Sequence, residues 1–175
     1  MSLDNGMVVV SWPLAEHILG LDLSAPTLRL VFSMLHQLDL SGACGPEGLE
    51  ECPVIWASCA DLRERVGPKR SKGSREIRAA AQALKAAGMV EQFALLSNST
   101  TLQWQFSAWI REDMRNRFAG QWVLVDLEQL GSLSTALRIN LYLNLQKVRK
   151  SSAPEFFIFY DEERTAEANR VRIHN

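Results

Sequence analysis

Positive charge gathers in one short part of an otherwise slightly acidic chain. Residues 58–88 carry eight basic and three acidic side chains, a net charge of +5, and the remaining residues carry −6, so that the whole chain has a net charge of −1. Lysine and arginine bind phosphate oxygens, and neutralising phosphates releases counterions, which supplies most non-specific affinity for nucleic acids. The predicted chemistry of this stretch is therefore the binding of a polyanion. The alternative is a solvated helix face beside a basic loop.

The alanine-rich run SREIRAAAQALKAAG, residues 74–88, predicts the helix that carries much of this charge. Alanine, leucine and lysine favour helix, and Gly88 can adopt the left-handed conformation that ends one. At 100° per residue, one side of the helix is apolar and the neighbouring arc is polar. The apolar side contains Ile77, Ala80, Ala81 and Leu84, and the polar arc contains Arg75, Arg78, Gln82 and Lys85.

Residue types suited to catalysis or metal binding form no recognisable pattern. The cysteines, Cys44, Cys52 and Cys59, are odd in number and are not spaced like zinc ligands, and the three histidines are isolated from one another. The sequence contains no glycine-rich phosphate loop and no nucleophile elbow. We therefore expect no catalytic residue, no metal and no cofactor, and the chain is not expected to be an enzyme.

Composition bounds the class of protein. A chain of 175 residues that is 47% hydrophobic and 22% charged can bury one sizeable core or two small ones, which excludes disorder. The first residues lack the basic start and the apolar run of a signal peptide, and no later segment approaches a membrane-spanning helix. We expect a cytoplasmic protein without a membrane partner.

The segments on both sides of the basic helix have their own patterns. Apolar residues at helical spacing in residues 28–38 predict a core helix, and residues 54–57 predict a short strand. Ser58, with Asp61 three residues later, predicts a capped helix that stops at Gly67. After Gly88 we predict a β-hairpin around the polar tip at residues 97–100. Its second strand places Leu102, Trp104 and Phe106 on one face and Gln103 and Gln105 on the other.

Helix, short strand, helix, basic turn, helix and hairpin in this order resemble a winged helix-turn-helix. The stretches ADLRERVG and SREIRAAAQALKAAGMVE are similar to the second and third helices of that family, and the resemblance spans residues 25–107. It implies that the third helix enters a DNA groove, where Arg binds guanine and Gln binds adenine. The basic turn and the wing tip would hold phosphates. The implied DNA-binding residues are Lys69, Arg70, Lys72, Arg75, Arg78, Gln82, Lys85, Asn98 and Ser99.

The C-terminal third has weaker patterns. Residues 108–119 predict an amphipathic connector, residues 122–125 a strand, and Asp126 the N-cap of a short helix that ends near Gly131. A longer helix is predicted from Ser134 to Lys147. Its competitor is a strand, because apolar side chains alternate with polar ones over residues 139–145. The length of the run, its leucine content and its basic end favour the helix.

A second resemblance concerns this region. VDLEQL followed by LSTALRINLYLNLQKVRK is similar to the beginning of the second domain of plasmid replication initiators that contain tandem winged helices. Those proteins bind DNA repeats at an origin and switch between dimer and monomer. The resemblance implies a role in plasmid replication initiation or its control. We expect residues 120–175 to form an incomplete second winged helix, because few residues follow Pro154.

The aromatic run FFIFY, residues 156–160, is strongly β-prone and too apolar to stay exposed. Two interpretations remain open. The run completes the core of its own chain, or it forms the edge of a homodimer.

Together these patterns predict a mainly helical α+β protein. We expect an N-terminal segment (residues 1–24), a winged helix-turn-helix (25–107), a connector (108–119) and a smaller C-terminal α/β extension (120–175) that resembles a partial second winged helix. The predicted partner is double-stranded DNA, with a homodimer through the extension as a second prediction. A transcriptional regulator with the same surface is one alternative, and a winged helix that binds protein instead of DNA is another.

Overall fold

The structure is a computed structural model that describes residues 6–43, 53–66 and 74–149, with the side chains of residues 63–66 excepted. Its described part is α+β. The helices are α1 (Trp12–Gly20), α2 (Ala25–Leu40), α3 (Cys59–Val66), α4 (Arg75–Ala86), α5 (Ala108–Arg115), α6 (Leu127–Ser132) and α7 (Ala136–Val148). The strands are β1 (Met7–Ser11), β2 (Ile55–Ser58), β3 (Val90–Leu96), β4 (Thr101–Phe106) and β5 (Trp122–Asp126).

The strands form two antiparallel sheets. In the first sheet the order is β2-β4-β3, so the middle strand β4 pairs with its hairpin partner β3 and with the earlier strand β2. Trp104 on β4 lies opposite Ile55 and Phe93. In the second sheet β1 pairs with β5, and Val9 lies opposite Leu124. The first sheet therefore combines a local hairpin with an earlier strand, and the second sheet pairs two strands that are far apart in the sequence.

Helix α2 is the centre of the core. Ser24 caps it by accepting a hydrogen bond from the Thr27 N–H, and Pro26 occupies its first turn, where a missing N–H costs little. The side chains of α2 are buried on nearly all sides, including Phe32 and Leu35. A helix that is apolar all round must be surrounded by other elements. Helices α3, α4, α6 and α7 and strands β1 and β2 all pack against it.

Local signals fixed several helix boundaries, as predicted. The Ser58 Oγ accepts a hydrogen bond from the Asp61 N–H at 3.0 Å, at the start of α3. The Asp126 Oδ1 accepts from the N–H groups of Glu128 and Gln129 at 2.9 and 3.1 Å, at the start of α6. These caps satisfy N–H groups that have no partner inside the helix.

Helix α7 resolves the open question about residues 139–145 in favour of helix. Ile139 and Leu143, four residues apart, are buried, whereas Leu145 is 47% exposed. The buried side chains therefore follow the helical period. They do not follow the alternation of apolar and polar residues along this run.

Two of the segments predicted as separate, residues 1–24 and residues 120–175, share one sheet. Strand β1 comes from residues 1–24, and its partner β5 comes from residues 120–175. Most of the buried apolar residues in the described part of the chain belong to one cluster, which includes Val8, Leu14, Phe32, Leu84 and Leu143. The aromatic run at residues 156–160 and the dimer interpretation attached to it lie outside the described residues.

A half-buried ion pair connects the end of α2 to the turn after α5. The Arg117 guanidinium binds the Asp39 carboxylate and also donates to the Met114 carbonyl at 2.7 Å. Of the described helices, none is long and apolar enough to cross a membrane.

Candidate nucleic-acid interface

Helix α4 is fixed to the core by one apolar face. Ile77, Ala80, Ala81 and Leu84 are buried, as the sequence predicted, and the helix packs against α2. The two alanines bring the helix axis close to its neighbour, since their side chains fill little space. The orientation of α4 is therefore set by its buried side, which leaves the opposite side to solvent.

The C-terminal end of α4 is closed by a backbone cap at Gly88. Gly88 has a φ of 72°, its N–H donates to the Lys85 carbonyl at 3.0 Å, and the Met89 N–H donates to the Leu84 carbonyl at 3.0 Å. This is the hydrogen-bond pattern of a Schellman motif, in which a left-handed residue ends the helix. The chain then enters β3 directly, so the cap also sets the direction of the hairpin.

The four polar side chains of α4 lie together on its exposed face. Arg75, Arg78, Gln82 and Lys85 are all exposed, as predicted. Ala79 and Ala86, also exposed, lie beside them and add almost no height to the surface. A helix face with long donors beside short alanines allows a flat or grooved partner to approach the backbone closely.

The three cations on this face have no carboxylate partner among the described residues, and none forms a salt bridge there. The arginines of α5 differ in this respect. Arg111 lies 3.9 Å from Glu91, and Arg115 lies 3.0 Å from Glu112. The positive charge of α4, unlike that of α5, is therefore not compensated by a salt bridge to any described carboxylate.

The acidic residue of α4, Glu76, lies away from the basic face and close to the buried Arg29. Burial lowers the pKa of Arg29, and the negative charge of Glu76 acts in the opposite direction. The Arg29 Nη1 also donates to the Leu133 carbonyl at 2.8 Å, so this side chain links α2 to the segment after α6. Glu76 therefore acts on an internal charge, and it forms no salt bridge with Arg75, Arg78 or Lys85.

The hairpin tip is a left-handed turn. Ser97, Asn98 and Ser99 have φ values of 49°, 54° and 67°, and Thr100 closes the turn through its Oγ1, which donates to the Ser97 carbonyl at 2.7 Å. Asn98 is exposed and Ser99 is half-buried. Asparagine tolerates this conformation better than most residues, whereas serine is strained in it.

The predicted site residues fall into three groups. The residues on α4 form one surface, as described. Asn98 and Ser99 lie at the hairpin tip, and no hydrogen bond or ion pair joins them to α4 within the described ranges. Lys69, Arg70 and Lys72 lie outside the described residues.

Two features of this region escaped sequence reasoning. Arg29 lies within a mostly apolar run of α2 and is buried. Apolar residues on all sides of this run indicate a helix surrounded by other elements, and in such a helix an arginine is buried too. Trp56 is 71% exposed on the outer face of the first sheet, opposite Gln103. The alternation Ile55, Trp56, Ala57 carried that signal, since Ile55 and Ala57 face the core and Trp56 must then face outward.

No family model, curated protein or solved structure matches the chain. The described residues also contain no group of three or more histidine, cysteine or acidic side chains placed to hold a metal ion.

Proposed function

We propose that the protein binds double-stranded DNA through the exposed face of α4. The observation that carries this proposal is the cluster of Arg75, Arg78 and Lys85, which form no salt bridge with any described residue and lie beside Gln82 on one face of a firmly anchored helix. Cations that the protein does not compensate are the groups that exchange counterions for phosphates.

The order of the surrounding elements supports this proposal. A winged helix-turn-helix requires a first helix, a strand, two helices joined by a turn, and a hairpin whose second strand pairs with the first strand. The order α2, β2, α3, α4, β3, β4 and the sheet order β2-β4-β3 agree with that requirement. In this arrangement α4 is the recognition helix and the hairpin is the wing.

The proposed roles differ along the surface. Arg75, Arg78 and Gln82 are able to reach base edges in the major groove, where arginine binds guanine and glutamine binds adenine through paired hydrogen bonds. Lys85 lies in the last turn of α4, where its positive charge also interacts favourably with the negative end of the helix dipole. Asn98 and Ser99 would contact phosphates from the wing, and Lys69, Arg70 and Lys72 would do so from the turn.

The finer role that we propose is plasmid replication initiation or its control, in the cytoplasm. It is supported by the resemblance of residues 120–150 to the tandem winged-helix initiators, and α6 and α7 follow strand β5 in the order that this resemblance implies. A transcriptional regulator with the same DNA surface is the alternative. Selected target sites that occur as direct repeats favour the initiator, and palindromic sites without an effect on replication favour the regulator.

The test is binding of the full chain to a labelled random-sequence duplex over a salt series. On random-sequence DNA, where the arginines contact phosphates instead of selected bases, replacing Arg75, Arg78 and Lys85 together by Ala is expected to reduce the slope of log K against log salt by up to about three, near one for each lost phosphate contact. The matched control replaces Arg115, Arg138 and Arg149 by Ala, which removes the same charge from other parts of the surface. We expect this control to keep the slope of the unmodified protein.

Two results would contradict the proposal. One is an equal reduction of the slope in both triple variants, which would show that only net charge matters. The other is absence of binding to the duplex at low salt. In that case the exposed face of α4 serves a protein partner or faces solvent.

A further inference from the structure

Among the described residues, strand β5 pairs with another strand along one of its two edges. The Leu127 N–H donates to the Gly6 carbonyl at 2.9 Å, and the Trp12 N–H donates to the Gln121 carbonyl at 2.7 Å. In an antiparallel pair the bonded positions alternate, so the residues of β5 that bond to β1 are the odd-numbered ones. The backbone N–H and C=O of Leu124 therefore point to the opposite edge, where no described strand lies.

Helix α7 covers one end of this open edge. The Asp126 N–H, which points the same way as that of Leu124, donates to the Tyr142 hydroxyl oxygen at 2.9 Å. A side chain of α7 thus replaces the missing strand at Asp126. The backbone of Leu124, two residues earlier, receives no such partner from the described residues.

Beside the other end of the edge lies a groove of about 580 Å³. One wall is the beginning of β5, and the other is the last turn of α7. The Lys147 Nζ lies 4.1 Å from the centre of the Trp12 ring, and this contact holds the α7 wall in place. The residues that line the groove are Gly120, Gln121, Trp122, Leu124, Gln146, Lys147 and Arg149.

The chain leaves the described structure at this groove. Arg149 is both a lining residue and the last described residue. The aromatic run at residues 156–160 follows after residues 150–155. A linker of that length spans up to about 20 Å, more than the roughly 17 Å of a five-residue strand, so the run can reach all of the edge.

We propose that residues 156–160 of the same chain add to the open edge of β5 as a third strand and fill the groove. The backbone of the run would supply the hydrogen-bond partners that Leu124 lacks. Its aromatic side chains would cover the half-buried side chains of Trp122 and Leu124. Pairing of this apolar, β-prone run with Leu124 would cover both the run and the backbone of Leu124, each of which would otherwise be able to recruit another chain.

The same edge could in principle take the aromatic run of a second copy. The structure favours the run of its own chain, because the linker begins inside the groove. A tethered segment this close has an effective concentration on the order of millimolar, which a separate copy reaches only at similar protein concentrations. The proposal is independent of DNA binding.

Amide hydrogen exchange of the full chain tests the proposal. In the unmodified protein the Leu124 amide is expected to be protected. In the variant with Phe157→Asp and Phe159→Asp it is expected to exchange at least about tenfold faster, because the added strand no longer forms. The matched control, Val171→Asp with Ile173→Asp, places the same two charges in the same tail outside the aromatic run. We expect this control to keep the protection of Leu124.

A second measurement does not depend on the folding of any variant. In the unmodified monomer, nuclear Overhauser effects are expected between the Leu124 amide and backbone protons of residues 156–160. Fast exchange of Leu124 in the unmodified protein, or absence of these contacts, would overturn the proposal. Protection that appears only at concentrations where the protein is dimeric would overturn the assignment to the same chain and give the edge to a second copy.

Discussion

At the scale of single residues, Gln82 differs from its neighbours on the exposed face of α4. It is the uncharged polar side chain among three cations, and it is exposed. An amide contributes little to counterion release but can form two directed hydrogen bonds to adenine. Under the proposed function, Gln82 therefore contributes sequence preference without contributing charge.

Gln82→Ala is expected to change sequence preference without changing the salt dependence. Discrimination at one base position should fall by about 1 to 3 kcal/mol, the usual contribution of a paired hydrogen bond to a base edge. Selection of target sites from a random pool, for the variant and the unmodified protein, measures this change. A shallower salt slope in Gln82→Ala would contradict the assignment of this residue to a base.

Leu84 is the buried counterpart of its exposed neighbour Lys85. Leu84→Ala is expected to lower the free energy of unfolding by about 2 to 5 kcal/mol, because the side chain is fully buried against the core. Lys85→Ala should stay within about 0.5 kcal/mol, as is usual for exposed positions. Urea unfolding of both variants checks the pair, and the reverse order would mean that α4 faces the other way.

At the scale of elements, Gly88 shows how one residue connects a helix to a strand. A Cβ added at Gly88 would meet nothing within 4 Å, and its φ is nevertheless 72°. Substitution there therefore costs conformational energy without any clash.

Gly88→Ala is expected to destabilise the protein by about 1 to 2 kcal/mol, the cost of the left-handed conformation for a residue with a Cβ. Gly120→Ala is the matched control, because a Cβ at Gly120 also has open space and its φ is not in the left-handed region. Thermal unfolding of the two variants compares them. An equal loss of stability in both would show that the cap is not the cause.

The phenol of Tyr142, which joins α7 to β5, is harder to ionise than an exposed phenol because it is partly buried. Burial raises the pKa of Tyr142, and the hydrogen bond from the Asp126 N–H opposes this shift. Since the pKa in the folded state lies above its unfolded value near 10, the stability gained from the neutral phenol is complete below that pH. It is lost as the pH rises through the pKa of the folded state.

The stability difference between the unmodified protein and Tyr142→Phe should therefore shrink with increasing pH. We expect the unmodified protein to be more stable by about 1 kcal/mol near pH 8, where the hydroxyl accepts its hydrogen bond, and this advantage to diminish above about pH 10. Urea unfolding over this range measures both proteins, and Tyr160, present in both, cancels in the comparison. A difference that grows with pH would contradict the sign of this shift.

At the scale of the whole molecule, substitutions at distant positions of the shared apolar cluster are expected to have similar effects on the free energy of unfolding. Leu143 on α7 and Leu84 on α4 are both fully buried in this cluster. We expect Leu143→Ala, like Leu84→Ala, to cost about 2 to 5 kcal/mol and to shift one common unfolding transition. Hydrogen exchange followed in α4 and in β5 of the same variants measures this coupling. Separate transitions for the two regions would show that they are independent domains.

Local patterns of the sequence predicted most of the elements between Ala25 and Val148. Caps such as Ser58 and Asp126 and the left-handed Gly88 form their hydrogen bonds within a few residues. A short stretch of sequence is therefore sufficient to predict them. The polar arc of α4 was predicted in the same way, because the helical period alone separates its buried side chains from Arg75, Arg78, Gln82 and Lys85.

Features that depend on distant partners were not predictable in this way. Nothing in the window around β1 identifies β5 as its partner. Gln105 was expected on the polar side of β4, yet it is only 9% exposed and forms a hydrogen bond with Gln92 across the hairpin. The partners of Arg29, the Leu133 carbonyl and the charge of Glu76, lie in distant segments that no pattern in its own helix identifies.

The pairing of β1 with β5 also has a consequence for the order in which the protein is assembled. During synthesis β1 leaves the ribosome well before its partner β5, which emerges only after the central helices and the hairpin have been made. Closing so long a loop is entropically costly and comes late in folding. The unpaired β1 is thus accessible to chaperones and neighbouring chains until β5 has been made, so the earlier strand of this pair has to wait for the later one.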